Sequence, residues 1–241
     1  MDDALTTAIQ AMHNSQARLA AISHNVANAA TPGFKRTIPV LRPFEQVLAA
    51  AGAGTNPAAP RIDLGIDASA AAAVQTGRPL DLMVEGDAYL ELMGADGVGY
   101  ARSGSFRLDA SGRLLNAQGA ALQGVGGALS LGGDPVVVHP DGSLTQNDRP
   151  AGSLKLVALP RTGLTRGNDG LLRPVAGAAP PAAASDGRIT VRTGKLENSN
   201  VSTARETVML LETSRSYEAL SRFFTAYDEQ IGNAIQKLGE F

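Results

Sequence analysis

The 241-residue chain has a formal net charge of −2, with 44% apolar and 18% charged residues. That balance gives no basic footprint for nucleic acid or an anionic membrane, and no uncharged apolar run reaches the ~18 residues a membrane-crossing helix needs. With no cysteine, thiolate catalysis, disulfides and sulfur-ligated metals are excluded, and Met1-Asp2-Asp3-Ala4 places acids where a cleavable secretory signal would carry Lys or Arg.

From Asp3 to Ala30 the chain has neither Gly nor Pro, and its apolar residues recur at helical spacing. Leu5, Met12, Leu19 and Val26 fall seven apart, with Ala8, Ser15, Ile22 and Ala29 three further on, which is an a/d seam. Asp2 or Asp3 can cap the start. Thr31-Pro32-Gly33 stops the helix, because Pro32 lacks an N–H and disfavours helical geometry at Thr31. The seam is narrow, so the helix needs a partner in water.

The middle of the chain changes character. Ala49 to Pro60 is made of Ala, Gly, Pro, Thr and Asn and Ala68 to Ala73 is nearly all Ala, which predicts an irregular or extended connector with room for one short helix. From Pro79 to Arg192 short alternating runs predict strands: Leu80, Leu82 and Val84 against Asp81, Met83 and Glu85, then Val136 to Val138 and Leu154 to Val157. Asp109-Ala-Ser-Gly112 and Pro140-Asp-Gly142 supply turn chemistry between them. Pro174 to Ala184 reads as a loop at the far end of this β region.

The C-terminal segment repeats the helical design more strongly. Leu210, Thr213, Tyr217, Leu220, Phe224, Tyr227, Ile231, Ala234 and Leu238 step by three and four without a break. Thr203 and Glu206 form a capping-box pattern, with Asn200 or Ser202 as alternative caps. The expected fold class is α+β: long terminal helices forming a coiled-coil-like pair, with an all-β domain inserted between them. The corresponding segments are 1–40 (helix and turn), 41–78 (connector), 79–194 (β domain) and 195–241 (C-terminal helix). A seam that one helix pair leaves partly exposed is best buried by copies of itself, and head-to-tail contacts that do not close make a helical filament. An intramolecular hairpin uses the same stripe.

Three ordered motifs carry a family resemblance. Asn25-Val26-Ala27-Asn28 followed by Thr31-Pro32-Gly33-Phe34-Lys35 resembles the N-terminal signature of flagellar rod and hook proteins. Thr76-Gly77-Arg78-Pro79-Leu80-Asp81-Leu82 with Gly86, then Tyr100, Arg102, Gly104, Phe106 and Asp109 to Gly112, is similar to that family's central domain. Gly194-Lys195-Leu196-Glu197, Ser199-Asn200-Val201, and then Arg215, Tyr217 and Glu218 resemble the approach to its C-terminal helix. Gly152 to Val157 and Arg166 to Leu171 are most similar to the proximal rod proteins of the F type, with distal rod proteins the nearest rival. The Ala-rich connector departs from the family pattern.

The resemblance implies a rod subunit of the flagellar basal body, exported by the flagellar type III apparatus without a cleaved signal and assembled in the periplasm. Its partners would be copies of itself and neighbouring axial proteins. The residues expected at subunit interfaces are Leu5, Met12, Leu19, Ile22, Asn25, Val26, Asn28 and Phe34, then Leu210, Tyr217, Leu220, Phe224, Tyr227, Ile231 and Leu238. Asn25 and Asn28 can bond free carbonyls at the helix end or a neighbouring chain, and Phe34 is an anchor after the turn; a plain helix stop with Phe34 in a local core explains the same residues.

Signals for chemistry are poor, and neither an enzyme nor a cofactor is expected. His13 and His24 lie eleven apart and His139 stands alone before a turn, so no His pair has metal-ligand spacing. Gly124-Val-Gly-Gly127 and Gly132-Gly133 lack the phosphate-cradling forms. Asp141, Asp148 and Asp169 occur singly without the calcium-loop pattern, which leaves a weak surface calcium site as the one metal reading open. A secreted β-rich binding module is the main alternative class, and two matched terminal seams argue against it; a hydrolase would need paired acids or histidines.

Overall fold

The computed structural model describes residues 2–40, 62–160, 162–184 and 189–239, with side chains at all of these except 2–4, 234, 235 and 237–239. The connector expected at Ala49 to Pro60 and the seam side chains of Ala234 and Leu238 lie outside that description.

Two helices, α1 (Asp2–Ala27) and α2 (Thr203–Gly239), bracket a run of short strands. α1 stops three residues before the Gly- and Pro-free run ends. Thr31, restricted by Pro32, turns its N–H onto the Asn28 carbonyl at 3.0 Å, and Phe34 N–H bonds the Thr31 carbonyl at 3.2 Å. At α2 the Ser202 carbonyl accepts the Glu206 N–H at 2.9 Å, so Ser202 holds the cap position and Thr203 lies inside the first turn.

The chain divides into two compact units, one holding the described parts of Met1–Ala27, Thr37–Leu64 and Ser202–Phe241, the other Asn28–Arg36 and Gly65–Val201. In the first, α1 and α2 pack antiparallel: Asn25, near the end of α1, meets Glu206 in the first turn of α2, and Gln16 Nε2 donates to Tyr217 Oη at 3.3 Å. In that register α2, at 37 residues against 26, runs past the start of α1 by roughly two turns.

The second unit is β-rich. Its largest sheet runs in the order Leu164–Arg166, Leu172–Pro174, Gly97–Ala101, Tyr89–Gly94, Ala121–Gly124, Leu114–Leu115, Arg107–Leu108. Smaller sheets join Val136–Val138 with Ser143–Gln146 and Arg149–Ser153, Thr190–Thr193 with Asp81–Glu85 and Ser103–Ser105, and Lys195–Glu197 with Ala73–Gln75. Leu82, Leu90, Leu92, Leu114, Leu122, Leu144 and Val191 fill one continuous core, and a smaller cluster gathers Ile66, Tyr89, Tyr100, Val157, Leu164 and Leu172.

The strand expected at Leu80–Glu85 forms at Asp81–Glu85, but its alternation does not sort inside from outside: Asp81, Leu82, Met83 and Val84 are all buried. It is the middle strand of three, covered on both faces. Asp81 tolerates this because burial, which raises a carboxyl pKa, is outweighed by hydrogen bonds from Thr76, Ser105 and Arg78, and its pKa falls below the ordinary value. Both expected turns form. Gly112, at φ +77°, donates its N–H to the Asp109 carbonyl, and Gly142, at φ +84°, donates to the His139 carbonyl. Of Ala68 to Ala73, only Ala73 enters a regular element, the strand Ala73–Gln75, and no short helix forms among residues 62–78.

Candidate functional site

The helical unit shows how far two seams can bury each other. On α1, Ser15, Ala21, Ile22 and Asn25 are buried, Leu5, Met12 and Leu19 are half-buried, and Val26 is exposed. On α2, Leu210, Tyr217, Leu220, Phe224 and Tyr227 are half-buried and Ile231 is exposed. Among the described residues of α2, Glu206 alone is fully buried. Val208 and Leu211 stand 54% and 56% exposed, and Phe223, 46% exposed, stacks on Tyr227 with ring centroids 6.3 Å apart. A shallow groove between the helices is lined by Ala11, Asn14, Ser15, Ala219, Leu220 and Phe223.

Asn25 spends its whole side-chain amide within the chain. Its Oδ1 accepts the Thr37 N–H at 2.8 Å, and its Nδ2 donates to the Thr37 carbonyl at 2.9 Å and to Glu206 Oε2 at 3.2 Å. Asn28 is half-buried, with its Oδ1 taking the Thr31 hydroxyl at 3.2 Å.

In the β-rich unit, the first and third motifs are tied together. Gly33 adopts φ +72° and donates its N–H to the Glu197 carbonyl at 2.7 Å, while Phe34, 4% exposed, lies under the Arg166 guanidinium at 4.4 Å. Lys35, 1% exposed, donates from Nζ to Glu197 Oε1 at 2.8 Å and to the Ser69 carbonyl at 2.6 Å. Glu197 Oε1 also accepts the Ala71 N–H at 2.7 Å, and Oε2 faces Arg102 Nε as an ion pair at 3.5 Å, too long for a hydrogen bond. The Glu197 N–H is held by Ser103 Oγ at 3.0 Å. Asn200 works in parallel: its Oδ1 accepts the Arg36 N–H at 2.6 Å and its Nδ2 donates to the Asp67 carbonyl at 2.9 Å. Burial lowers the Lys35 pKa, against the opposing pull of Glu197, and burial lowers that of Arg166 to about 10.

Three of the residues expected at subunit interfaces are covered within the single chain. Ile22, Asn25 and Phe34 are buried within their own units, with the Thr37 backbone and Glu206 occupying Asn25 and the Arg166 guanidinium lying over Phe34. Conversely, Glu206, Glu197, Lys35 and Arg102 form densely bonded polar sites that no apolar periodicity marks. The available signal was their place inside the motifs: single charges flanked by turn residues and apolar neighbours, as in Phe34-Lys35 and Leu196-Glu197.

Among the described residues, no group of three or more His, Asp and Glu side chains could hold a metal ion, and no helix is long and apolar enough to cross a membrane. His139 Nε2 is within 3.0 Å of Thr145 Oγ1 at its turn.

Comparison with known proteins matches this layout from end to end. Residues 5–35 match the family described as flagella basal body rod protein, 83–148 the flagellar hook protein FlgE/F/G D1 domain, and 192–237 the flagellar basal body rod FlgEFG protein C-terminal. The flagellar basal-body rod protein FlgF of Salmonella typhimurium is 30% identical over 253 residues, covering 99% of each chain, and that of Mesorhizobium japonicum is 30% identical over 244, again covering 99% of each. FlgG of Bacillus subtilis is 31% identical over 254 residues, covering 93% of this chain and 95% of the other. The chain belongs to the flagellar basal-body rod protein family, as a structural subunit of the flagellar rod.

Proposed function

We propose that this subunit builds the proximal rod by packing its terminal helices against copies of itself and against neighbouring axial proteins. The observation that carries the proposal is the state of α2. Its apolar stripe from Leu210 to Tyr227 is only half covered by α1, while Val208, Leu211, Phe223 and Ile231 remain exposed, more apolar surface than a lone helix pair has reason to keep. Copies of the same helices are the economical cover, in a coiled-coil-like arrangement that does not close on itself. The near-full-length likeness to FlgF proteins supports the proximal position over the distal one. In this reading 1–40 and 195–241 supply the assembly domain, 41–78 the connector and 79–194 the β domain, and the subunit's work is mechanical rather than catalytic. Its place is the periplasmic rod, reached through the flagellar type III export apparatus without cleavage of a signal, as the family resemblance implies.

The test is Leu211→Asp in cells lacking the native gene. The side chain is more than half exposed in the free subunit, so the variant folds and is exported, but a carboxylate in a dry helix contact costs several kcal/mol and basal bodies stop at this subunit. Normal motility and complete basal bodies would overturn the proposal.

A further inference from the structure

The geometry points to a latch in the β-rich unit: Asn28–Arg36 is docked by the buried Lys35–Glu197 pair and opens as one piece without unfolding the core. This inference is independent of the assembly reading above.

Its first support is where the bonds converge. Glu197 by itself gathers three separate stretches of chain. It meets Gly33 through its carbonyl, Lys35 and Ala71 through Oε1, Arg102 through Oε2, and Ser103 through its N–H. Lys35 is 162 residues away from it in sequence, so the docked state requires residues from near both ends of the chain.

The second support is what does not converge there. The main core and its smaller neighbour contain no residue of Asn28–Arg36 and neither Leu196 nor Glu197. Undocking the segment therefore uncovers Phe34 and a polar cluster while leaving Leu82, Leu90, Leu92 and Leu122 packed, which is the condition for a local opening of lower free energy than global unfolding. The third is the nature of the contacts. A buried ion pair adds little net stability over an apolar pair, but removing one member strands the other charge, so Lys35 and Glu197 accept this docked position and reject slipped ones. Asn28–Arg36 follows α1 directly and Gly194–Val201 leads into α2, so the latch sits at the roots of both helices in the sequence.

Amide hydrogen exchange on the full chain reads this directly. Glu197→Gln keeps the shape and an acceptor for the Ala71 N–H, and Lys35→Met keeps the length without the charge. Each single variant raises exchange at Gly33, Arg36 and Ala71 by roughly tenfold or more, the factor expected when a buried charge loses its partner, while the amides of Asn116 and Leu154 in the core are unchanged. The double variant exchanges more slowly at those three positions than Glu197→Gln, because the Lys35 charge is no longer stranded while Arg102 has lost the Glu197 carboxylate in both. Unchanged exchange in both single variants would overturn the latch. So would a parallel rise at Asn116 and Leu154, or a double variant in which the two effects simply add.

Discussion

Asn25 and Glu206, 181 residues apart in sequence, close the junction between the end of α1 and the first turn of α2: Asn25 Nδ2 donates to Glu206 Oε2 at 3.2 Å with both side chains buried. The same amide pairs with Thr37 as a strand neighbour would, accepting its N–H and donating to its carbonyl. A carboxamide is the one side chain of this size with an acceptor and two donors, so no isostere repeats all three bonds.

Asn25→Ala leaves a buried carboxylate and two Thr37 backbone groups each short of a bond, and costs about 2–3 kcal/mol of helical-unit stability. Asn25→Asp costs more, because it removes both donors and faces Glu206 with a like charge. Urea unfolding followed by far-ultraviolet circular dichroism ranks the two, and an Asp variant as stable as the Ala variant would show that Glu206 draws little from Asn25.

Gly112 and Gly119 share left-handed backbones, φ +77° and +82°, but not surroundings. A Cβ at Gly112 would lie 1.9 Å from the Leu131 carbonyl oxygen, whereas one at Gly119 meets nothing within 4 Å. Gly119→Ala therefore costs only the conformational term, about 1 kcal/mol, and Gly112→Ala several times that, since the Leu131 backbone must move. Thermal melting of the two variants checks the difference, and equal melting points would mean that the turn at Gly112 yields freely.

Asp169 accepts from Arg173 Nη1 at 2.8 Å and from the Leu171 N–H at 3.1 Å, within the hairpin of Leu164–Arg166 and Leu172–Pro174. The Arg173 bonds hold its carboxyl below the ordinary value for an aspartate, 3.8, against the opposing effect of burial. A depressed folded pKa means the stabilisation is fully present above the unfolded value and is lost as pH falls below 3.8 through the folded pKa. Asp169→Asn should therefore cost about 1–2 kcal/mol at neutral pH and progressively less as pH drops through that window. Paired denaturation curves at neutral pH and below pH ~3 test it; a pH-independent difference would assign the effect to shape rather than charge.

How much of this the sequence displayed depends on the kind of interaction. The helices and the turns at Asp109 and Pro140 were legible, because helical periodicity and turn chemistry are local and leave a mark at fixed spacing. The burial of Asp81 and Met83 was not, since whether a strand is central or at an edge is decided by neighbours far along the chain, here Thr190–Thr193 and Ser103–Ser105. The Glu197 cluster was hidden for a related reason. A lone charge looks solvated in a sequence, and only the arrival of Lys35 and Arg102 from distant segments makes its burial tolerable.

Leu220 and Leu211 separate the two jobs of α2. Leu220 is half-buried and lines the groove against Ala11, Asn14 and Ser15, so a carboxylate there is driven into the contact with α1 and should destabilise the helical unit by about 2–4 kcal/mol. Leu211, on the exposed side, tolerates Asp with a change within about 0.5 kcal/mol, since Asp is only modestly worse than Leu in a helix interior and no packing is lost. Neither residue belongs to the apolar clusters of the β-rich unit, so the near-ultraviolet signal of Tyr89 and Tyr100 should keep its transition in both variants. If Leu220→Asp left the melting of the helices unchanged, α1 would not be the partner that covers the seam in solution. If Leu211→Asp melted them as readily as Leu220→Asp, the outer face of α2 would already be occupied in the free subunit, and its availability for another copy would be lost with that result.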